Sequence, residues 1–134
     1  MIDTAFLVSY IPMAEWNIEY TGEFEHWWNS LSQSEQIAVD SKIRLLQGIG
    51  PALGRPHVGG VKSSKHPNMK ELRIQHDGRP YRVLFAFDPR RSAILLIGGD
   101  KTGDNRWYKT FVPLADRLFS LHLEQLKKEE RSRG

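Results

Sequence analysis

The chain has 134 residues, of which 40% are hydrophobic and 26% are charged, and it contains no cysteine. This length fits one domain with a single core, and the composition is that of an ordinary globular protein. The lack of cysteine excludes disulfides, thiolate chemistry and cysteine-held zinc, and it fits a cytoplasmic location.

The net charge of +3 conceals a strong asymmetry along the sequence. By counting, residues 1–54 carry a net charge of about −5, whereas residues 55–109 carry about +7. Cations concentrated in one segment are typical of a surface for polyanions, nucleic acid foremost, and the alternative is a basic face that is merely solvated.

The first twelve residues are mildly apolar but include Asp3 and lack lysine and arginine. The run is too short to cross a bilayer and has no basic start, so we expect neither a membrane helix nor a signal peptide. We interpret residues 1–12 as a leader or a mis-assigned start, residues 13–127 as a single domain, and residues 128–134 as a charged tail.

A short strand and two helices are predicted next. Trp16, Ile18 and Tyr20 alternate with polar residues, as in a half-buried strand. Thr21 is a candidate N-cap for the first helix, and the S-x-x-E sequence from Ser32 to Glu35 is a capping box that opens the second. The helical stripes are Phe24, Trp27, Trp28 and Leu31 in the first helix, and Val39, Ile43 and Leu46 in the second. We expect an antiparallel helical hairpin, ended by Gly48, Gly50 and Pro51, whose aromatic stripe is core rather than a site.

The segment 51–70 is rich in glycine, proline and serine, and we predict it to be a basic loop. Its basic and histidine side chains are Arg55, His57, Lys62, Lys65, His66 and Lys70. His57 and His66 have no third ligand at metal-like spacing, so no metal site is expected here.

A hairpin centred on Asp77-Gly78 organises the rest of the chain. Asp-Gly is the pair that best tolerates the positive φ angles of a two-residue type I′ turn. With these two residues at the turn, Leu72 pairs with Val83, Arg73 with Arg82, and Ile74 with Tyr81. The apolar side chains then share one face, and the two arginines stand opposite each other on the other face.

The predicted arginine pair needs an explanation, because like charges opposite each other on a sheet are destabilising. Glu71, Asp88 or Asp100 could neutralise the pair, or the two side chains could splay into water. The alternative is a phosphate site, since an arginine fork matches phosphate geometry and stays charged at any relevant pH.

After a turn at residues 88–91, the apolar run from Ala93 predicts a central strand that is covered on both sides. Gly98-Gly99 lacks the spacing of a phosphate-binding loop, so we expect a bend or bulge there as the strand leaves the sheet. Pro113 and Asp116 suit the first turn of a final helix, and residues 127–134 are predicted to be a frayed tail.

Taken together, ELR, YRVLFAF, AILLIGGDK and a later tyrosine resemble the RelE/HigB superfamily of type II toxins, specifically the HigB-like, phage-derived Gp49-like group. The resemblance runs from about Trp16 to the final helix. It implies a RelE-like α+β fold: a small antiparallel-rich sheet with an N-terminal helical hairpin and a C-terminal helix.

The resemblance also implies an mRNA endoribonuclease that acts in the ribosomal A site without a cofactor or metal. The ribose 2′-OH attacks the adjacent phosphodiester and leaves a 2′,3′-cyclic phosphate and a 5′-OH. Such chemistry needs cations for the phosphorane charge, a base and an acid. Arg82, Lys101 and Tyr108 match the family pattern, and Arg73 is a second phosphate ligand from the hairpin register.

The chain departs from the family pattern at Glu71, where the best-known relatives have a lysine. Glu71 is therefore either a general base or the counter-ion of Arg73, and a residue of the basic loop could replace the missing lysine: Lys62, Lys65, His66 or Lys70. The identities of base and acid stay open. We expect a further set of residues to bind RNA: Lys62, Lys65, His66, Lys70 and Arg106.

A toxin of this kind implies a cognate antitoxin, expected to be a small helix-turn-helix protein that covers the positive face. The main alternative is a ParE-like toxin, which shares the scaffold but binds DNA gyrase and cuts nothing. A phage-derived RNA-binding protein without toxicity is a third reading. The joint presence of Arg73, Arg82, Lys101 and Tyr108 favours the nuclease.

Overall fold

A computed structural model describes residues 15–133, so the predicted leader at residues 1–12 lies outside the described part. The strands are β1 (Ile18–Tyr20), β2 (Val58–Gly60), β3 (Lys70–His76), β4 (Arg79–Phe87) and β5 (Ala93–Asp100). The helices are α1 (Gly22–Ser30), α2 (Gln33–Ile49) and α3 (Trp107–Arg133), and a short 3₁₀ turn follows α2. The strands form one sheet in the order β1-β5-β4-β3-β2, in which only the β1–β5 pair is parallel. The predicted α+β class, antiparallel-rich sheet, helical hairpin and C-terminal helix are all confirmed.

The β3–β4 hairpin has the predicted register. Asp77 and Gly78 form the turn with φ angles of 50° and 72°. Arg73 pairs with Arg82, and the pairs on either side follow the same register. The two-residue turn at Asp77 and Gly78 therefore determines which side chains of β3 and β4 lie on the same face of the sheet.

One face of the sheet, here called the α1–α2 face, is covered by the helical hairpin. The Thr21 hydroxyl accepts a hydrogen bond from the Phe24 amide at 3.0 Å, and both halves of the capping box between Ser32 and Glu35 are formed. The aromatic stripe of α1 packs on β5, with the Trp27 ring against Gly98, while Val39 and Leu46 of α2 join the same core cluster as the apolar side chains of β3 and β4. The prediction that this stripe is core is confirmed.

The other face, here called the α3 face, is covered by the final helix. Trp107, Val112, Ala115 and Phe119 are buried against Leu84, Ala86, Ile94 and Leu96. The helix begins at Trp107 rather than near Pro113, because the Trp107 ring packs on Gly99 and fixes the first turn. Pro113 lies on the exposed side, where water can solvate the carbonyl that it leaves without a donor.

Three further expectations are corrected. The helix continues through residues 128–133, which were predicted to be a frayed tail. Strand β2 lies inside the predicted loop 51–70, where it pairs with β3. Gly98 and Gly99 remain in β5, and the irregularity falls earlier, since Leu84 pairs with Ile97 and Phe85 with Leu95.

The two glycines of β5 make room for two tryptophans on opposite faces of the sheet. A Cβ atom at Gly98 would lie 2.3 Å from the Trp27 ring, and one at Gly99 would lie 2.6 Å from Trp107 Nε1. Real Cβ atoms do not approach other heavy atoms so closely. The glycine pair therefore seats α1 and the first turn of α3 on the sheet rather than bending the strand.

Candidate active site

The arginine pair lies on the α3 face, near the hairpin turn. Glu71 precedes Arg73 by two residues and therefore points to the same face. Its carboxylate is buried, with Arg73 Nε 3.2 Å from Oε2 and Arg82 Nε 3.6 Å from Oε1. Of the three carboxylates considered from the sequence, Glu71 is the one that neutralises the arginine pair.

Tyr108 enters the cluster from the first turn of α3. Its hydroxyl donates a hydrogen bond to Glu71 Oε1 at 2.6 Å. Burial, and then this bond to a carboxylate, raise the pKa of the Tyr108 hydroxyl. Tyr108 is therefore a neutral proton donor at physiological pH.

Lys101 completes the group from the end of β5. Its Nζ lies 5.6 Å from the centre of the Tyr108 ring, and its backbone N–H donates to the Pro80 carbonyl at 2.9 Å. All five predicted catalytic residues thus converge, from β3, β4, the β5 exit and α3: Arg73, Arg82, Lys101, Tyr108 and Glu71. Two arginines flank the Glu71 carboxylate and Lys101 lies beside Tyr108, so the cluster keeps an excess of positive charge.

Arg82 has donor capacity that the described chain does not use. Its Nη1 donates to the Tyr81 carbonyl at 3.0 Å. Its buried Nε has no hydrogen-bond partner among residues 15–133, because the nearest Glu71 oxygen is 3.6 Å away. The buried Nε therefore faces Glu71, and the exposed part of the side chain, 16% of its surface, is what an anionic group can reach.

The predicted RNA-binding residues separate into those near the cluster and those far from it. Lys62 lines a groove next to Arg73, and Arg106 is exposed just before α3. Lys70 extends towards the opposite face, with its Nζ 3.4 Å from the Pro51 carbonyl oxygen.

Lys65 and His66 are held on the middle of α3. The Lys65 amide donates to Asp116 at 3.0 Å, and His66 Nε2 is 2.9 Å from the Ser120 hydroxyl. Residue 120 is about 18 Å along the helix from Tyr108. The structure therefore does not bring Lys65, His66 or Lys70 to the arginine pair.

The sequence reasoning missed two residues of this region, Arg55 and Gly59. Arg55 lines the same groove as Lys62, and Gly59 lies beneath the Arg73 side chain. In the sequence, the glycine pair after Val58 was the feature that could have indicated this site, because glycine in a strand often marks the close approach of another group to the backbone. The many glycines and prolines of the segment instead favoured the prediction of a loop.

A second ionic cluster lies at the other end of the α3 face. The fully buried carboxylate of Asp88 is 2.8 Å from His122 Nε2 and 2.7 Å from Arg90 Nη2. Burial opposes ionisation of Asp88, but hydrogen bonds from His122 and Arg90 outweigh it and hold the carboxyl pKa below its usual range. These contacts join α3 to the β4–β5 turn.

Among residues 15–133 there is no group of three or more histidine, aspartate or glutamate side chains arranged to hold a metal ion. None of the helices within that range combines the length and apolar character needed to cross a membrane.

Comparison with known proteins identifies the relatives of the chain. The sequence profile of the phage-derived Gp49-like proteins matches residues 26–120, which contain the whole arginine cluster. A Mycobacterium tuberculosis protein that carries the name toxin HigB3 is 48% identical over 71% of this chain and 82% of its own length. A second, which carries the name toxin HigB2, is 38% identical over 96% of this chain and 69% of its own length. A chain of the Escherichia coli RelBE toxin-antitoxin complex superposes with a TM-score of 0.43 and 11% identity, over 63% of this chain and 94% of that one.

Proposed function

The chain belongs to the phage-derived Gp49-like family and is a toxin of the RelE/HigB type, and we propose that it cuts messenger RNA in the ribosomal A site. The observation that carries this proposal is the convergence of Arg73, Arg82, Lys101 and Tyr108 around Glu71. A toxin that only binds its target through shape does not need these four side chains together. Cleavage of a phosphodiester does need cations and a proton donor at one point.

The proposed reaction is an attack of the ribose 2′ oxygen on the neighbouring phosphorus. The 2′ oxygen gives its proton to a water molecule and bonds to phosphorus, the bond to the 5′ oxygen breaks, and the 5′ oxygen takes the proton of the Tyr108 hydroxyl, which a solvent proton then replaces. The products are a 2′,3′-cyclic phosphate and a 5′-OH. Besides the RNA and the protein side chains, only solvent water enters this balance.

We infer the following roles for the side chains. Arg82, through the exposed part of its guanidinium, and Lys101 stabilise the negative charge that collects on the phosphorane oxygens. Tyr108 is protonated and gives its proton to the departing 5′ oxygen. Glu71 is the counter-ion that holds the arginines and Tyr108 in place, because both of its oxygens are already engaged.

The proposed partner, besides messenger RNA, is a cognate antitoxin of the helix-turn-helix type that covers the basic surface in the cytoplasm. The segment 55–109 has a net charge of about +7 by counting, and such a surface attracts both RNA and an acidic protein segment.

A translation reaction with a defined messenger tests the proposal. We expect cuts at fixed codon positions, mapped by primer extension, which are absent without ribosomes and absent with Arg82→Ala. Arg79→Ala is the matched control, because Arg79 lies on the same strand but is exposed and paired with Asp100 at 3.6 Å. Arg79→Ala should cut like the wild type, and both variants should still bind the antitoxin.

Intact messenger in the wild-type reaction would refute the nuclease. The ParE-like alternative would then be tested by a gyrase supercoiling assay, in which a gyrase-binding toxin should inhibit supercoiling whether or not Arg82 is replaced.

A further inference from the structure

The guanidinium of Arg73 lies across a glycine of the neighbouring strand. Gly59 in β2 pairs with Glu71 in β3, and the Arg73 side chain crosses the backbone at this point. A Cβ atom at residue 59 would lie 2.4 Å from Arg73 Nη2 and 2.8 Å from Cζ. Any side chain at residue 59 would therefore displace the guanidinium from its present position.

The adjacent glycine has no such neighbour. A Cβ atom at Gly60 would meet no heavy atom within 4 Å, and Gly60 is exposed. Neither glycine has a positive φ angle, so alanine fits the backbone at both positions. The requirement for glycine at residue 59 comes from Arg73 and not from the conformation of β2.

The position of Arg73 gives it a different environment from Arg82. Its Nε donates to Glu71 at 3.2 Å, while its outer nitrogens reach a surface groove that Arg55, Lys62 and Ser64 also line. No carboxylate occurs among the described residues that line this groove. Arg82 is more buried, with 16% of its side chain exposed against 34% for Arg73.

The different environments of Arg73 and Arg82 indicate two positions at which an anion can bind. The first is at Arg82, Lys101 and Tyr108, where the proton donor lies. The second is the groove of Arg55 and Lys62, which Arg73 also lines. A single strand of RNA carries a phosphate at every nucleotide, so a strand that is cut at the first position can place an adjacent phosphate in the groove.

We propose that Gly59 is a positioning residue that holds Arg73 towards this groove, and that the groove binds the phosphate next to the one that is cut. The inference rests on the proposed ribonuclease function. It separates the work of the two arginines: Arg73 contributes to binding of the RNA strand, and Arg82 contributes to the chemical step.

Four variants test the proposal: Gly59→Ala, Gly60→Ala, Arg73→Ala and the double variant Gly59→Ala/Arg73→Ala. Cleavage is measured on ribosomes programmed with a defined messenger, with the protein in excess, to obtain a half-saturating concentration and a maximal rate. In parallel, the Nε–Hε resonance of Arg73 is followed by ¹⁵N NMR of the full-length protein and is assigned by its loss in Arg73→Ala.

We expect Gly59→Ala to raise the half-saturating concentration about 10-fold, as for a lost charge-assisted contact, and to change the maximal rate by less than about 2-fold. Gly60 itself lines the groove, so Gly60→Ala is the control for the position of Arg73 and not for cleavage. The double variant should behave like Arg73→Ala alone, because Gly59 acts through Arg73. The Arg73 resonance should shift in Gly59→Ala and stay in place in Gly60→Ala.

Three results would overturn parts of the proposal. An unmoved Arg73 resonance, or an added penalty of Gly59→Ala in the Arg73→Ala background, would refute the positioning role. A lower maximal rate with an unchanged half-saturating concentration would assign Arg73 to the scissile phosphate instead. A wild-type protein that does not cut would refute the ribonuclease and the groove together, while the resonance would still decide the role of Gly59.

Discussion

Replacing Glu71 by glutamine tests whether this residue is a counter-ion or a general base. The substitution keeps the shape of the side chain and removes its charge. With the amide oxygen in the place of Oε1, Tyr108 keeps its acceptor, and the amide nitrogen then faces Arg73. Two arginines remain without a neutralising carboxylate on the same face of the hairpin.

The expected cost follows from the burial of the three groups. Removing one partner of a fully buried ion pair costs about 3 to 5 kcal/mol. The Arg73 side chain is 34% exposed, so water screens part of the repulsion, and we expect a loss of about 2 to 3 kcal/mol. For a domain of this size, such a loss lowers the melting temperature by about 6 to 12 °C.

The catalytic effect of Glu71→Gln should be much smaller than the loss of a base. Removing a general base slows a reaction by about 10²- to 10⁴-fold. We expect cleavage within about 10-fold of the wild type, measured on programmed ribosomes well below the melting temperature, because the arginines and Tyr108 remain. Glu124→Gln, exposed on α3, is the control and should change stability by less than about 0.5 kcal/mol.

Two outcomes would contradict this reasoning. A melting temperature equal to that of the wild type would show that the carboxylate does not neutralise the arginines in solution. A rate loss of about 100-fold or more in a folded variant would show that Glu71 takes the proton from the 2′-OH.

Three other predictions concern stability. Gly98→Ala should cost about 1 to 3 kcal/mol in urea denaturation, because its Cβ atom would lie 2.3 Å from the Trp27 ring, whereas Gly48→Ala should cost nothing. Burial, and then the bond to Glu35, raise the pKa of Tyr81 to about 12 from 10.0, so the wild type should lose stability as the pH rises from 10 to 12. Tyr81→Phe should lose less over the same range, and the remaining loss comes in part from Tyr108. Asp88→Asn should cost about 3 kcal/mol at neutral pH. It should also reduce the loss of stability that the wild type shows as the pH falls below about 4, since the depressed pKa of Asp88 stabilises the fold only above that range. The remaining loss comes in part from Glu35, whose pKa is lowered by its bond to Tyr81.

The parts of the fold that depend on local chemistry could be predicted from the sequence. The Asp77-Gly78 turn determined the register of β3 and β4, and with it the face that Arg73 and Arg82 share. Thr21 and the capping box placed the starts of α1 and α2 correctly. Each of these signals acts within a few residues and therefore appears directly in the sequence.

The parts that depend on distant contacts could not be predicted. Strand β2 is three residues long, and its VGG sequence has little preference for a strand, so it forms through pairing with β3. The start of α3 at Trp107 depends on the packing of that ring on Gly99 in β5. The role of Glu71 likewise depends on Tyr108, which is 37 residues away in sequence.

The parallel pairing of β1 with β5 affects when each part of the chain can fold during synthesis. The Thr21 hydroxyl bonds to the Leu96 carbonyl across 75 residues of sequence. At about 5 to 20 residues per second, α1 leaves the ribosome roughly 4 to 15 s before its partner strand is made, so its tryptophans remain available to chaperones in that interval. Lys101 and Tyr108 are added later still. The cluster around Glu71 is therefore incomplete on the ribosome that makes this protein until the segment that carries Tyr108 has been synthesised and has folded.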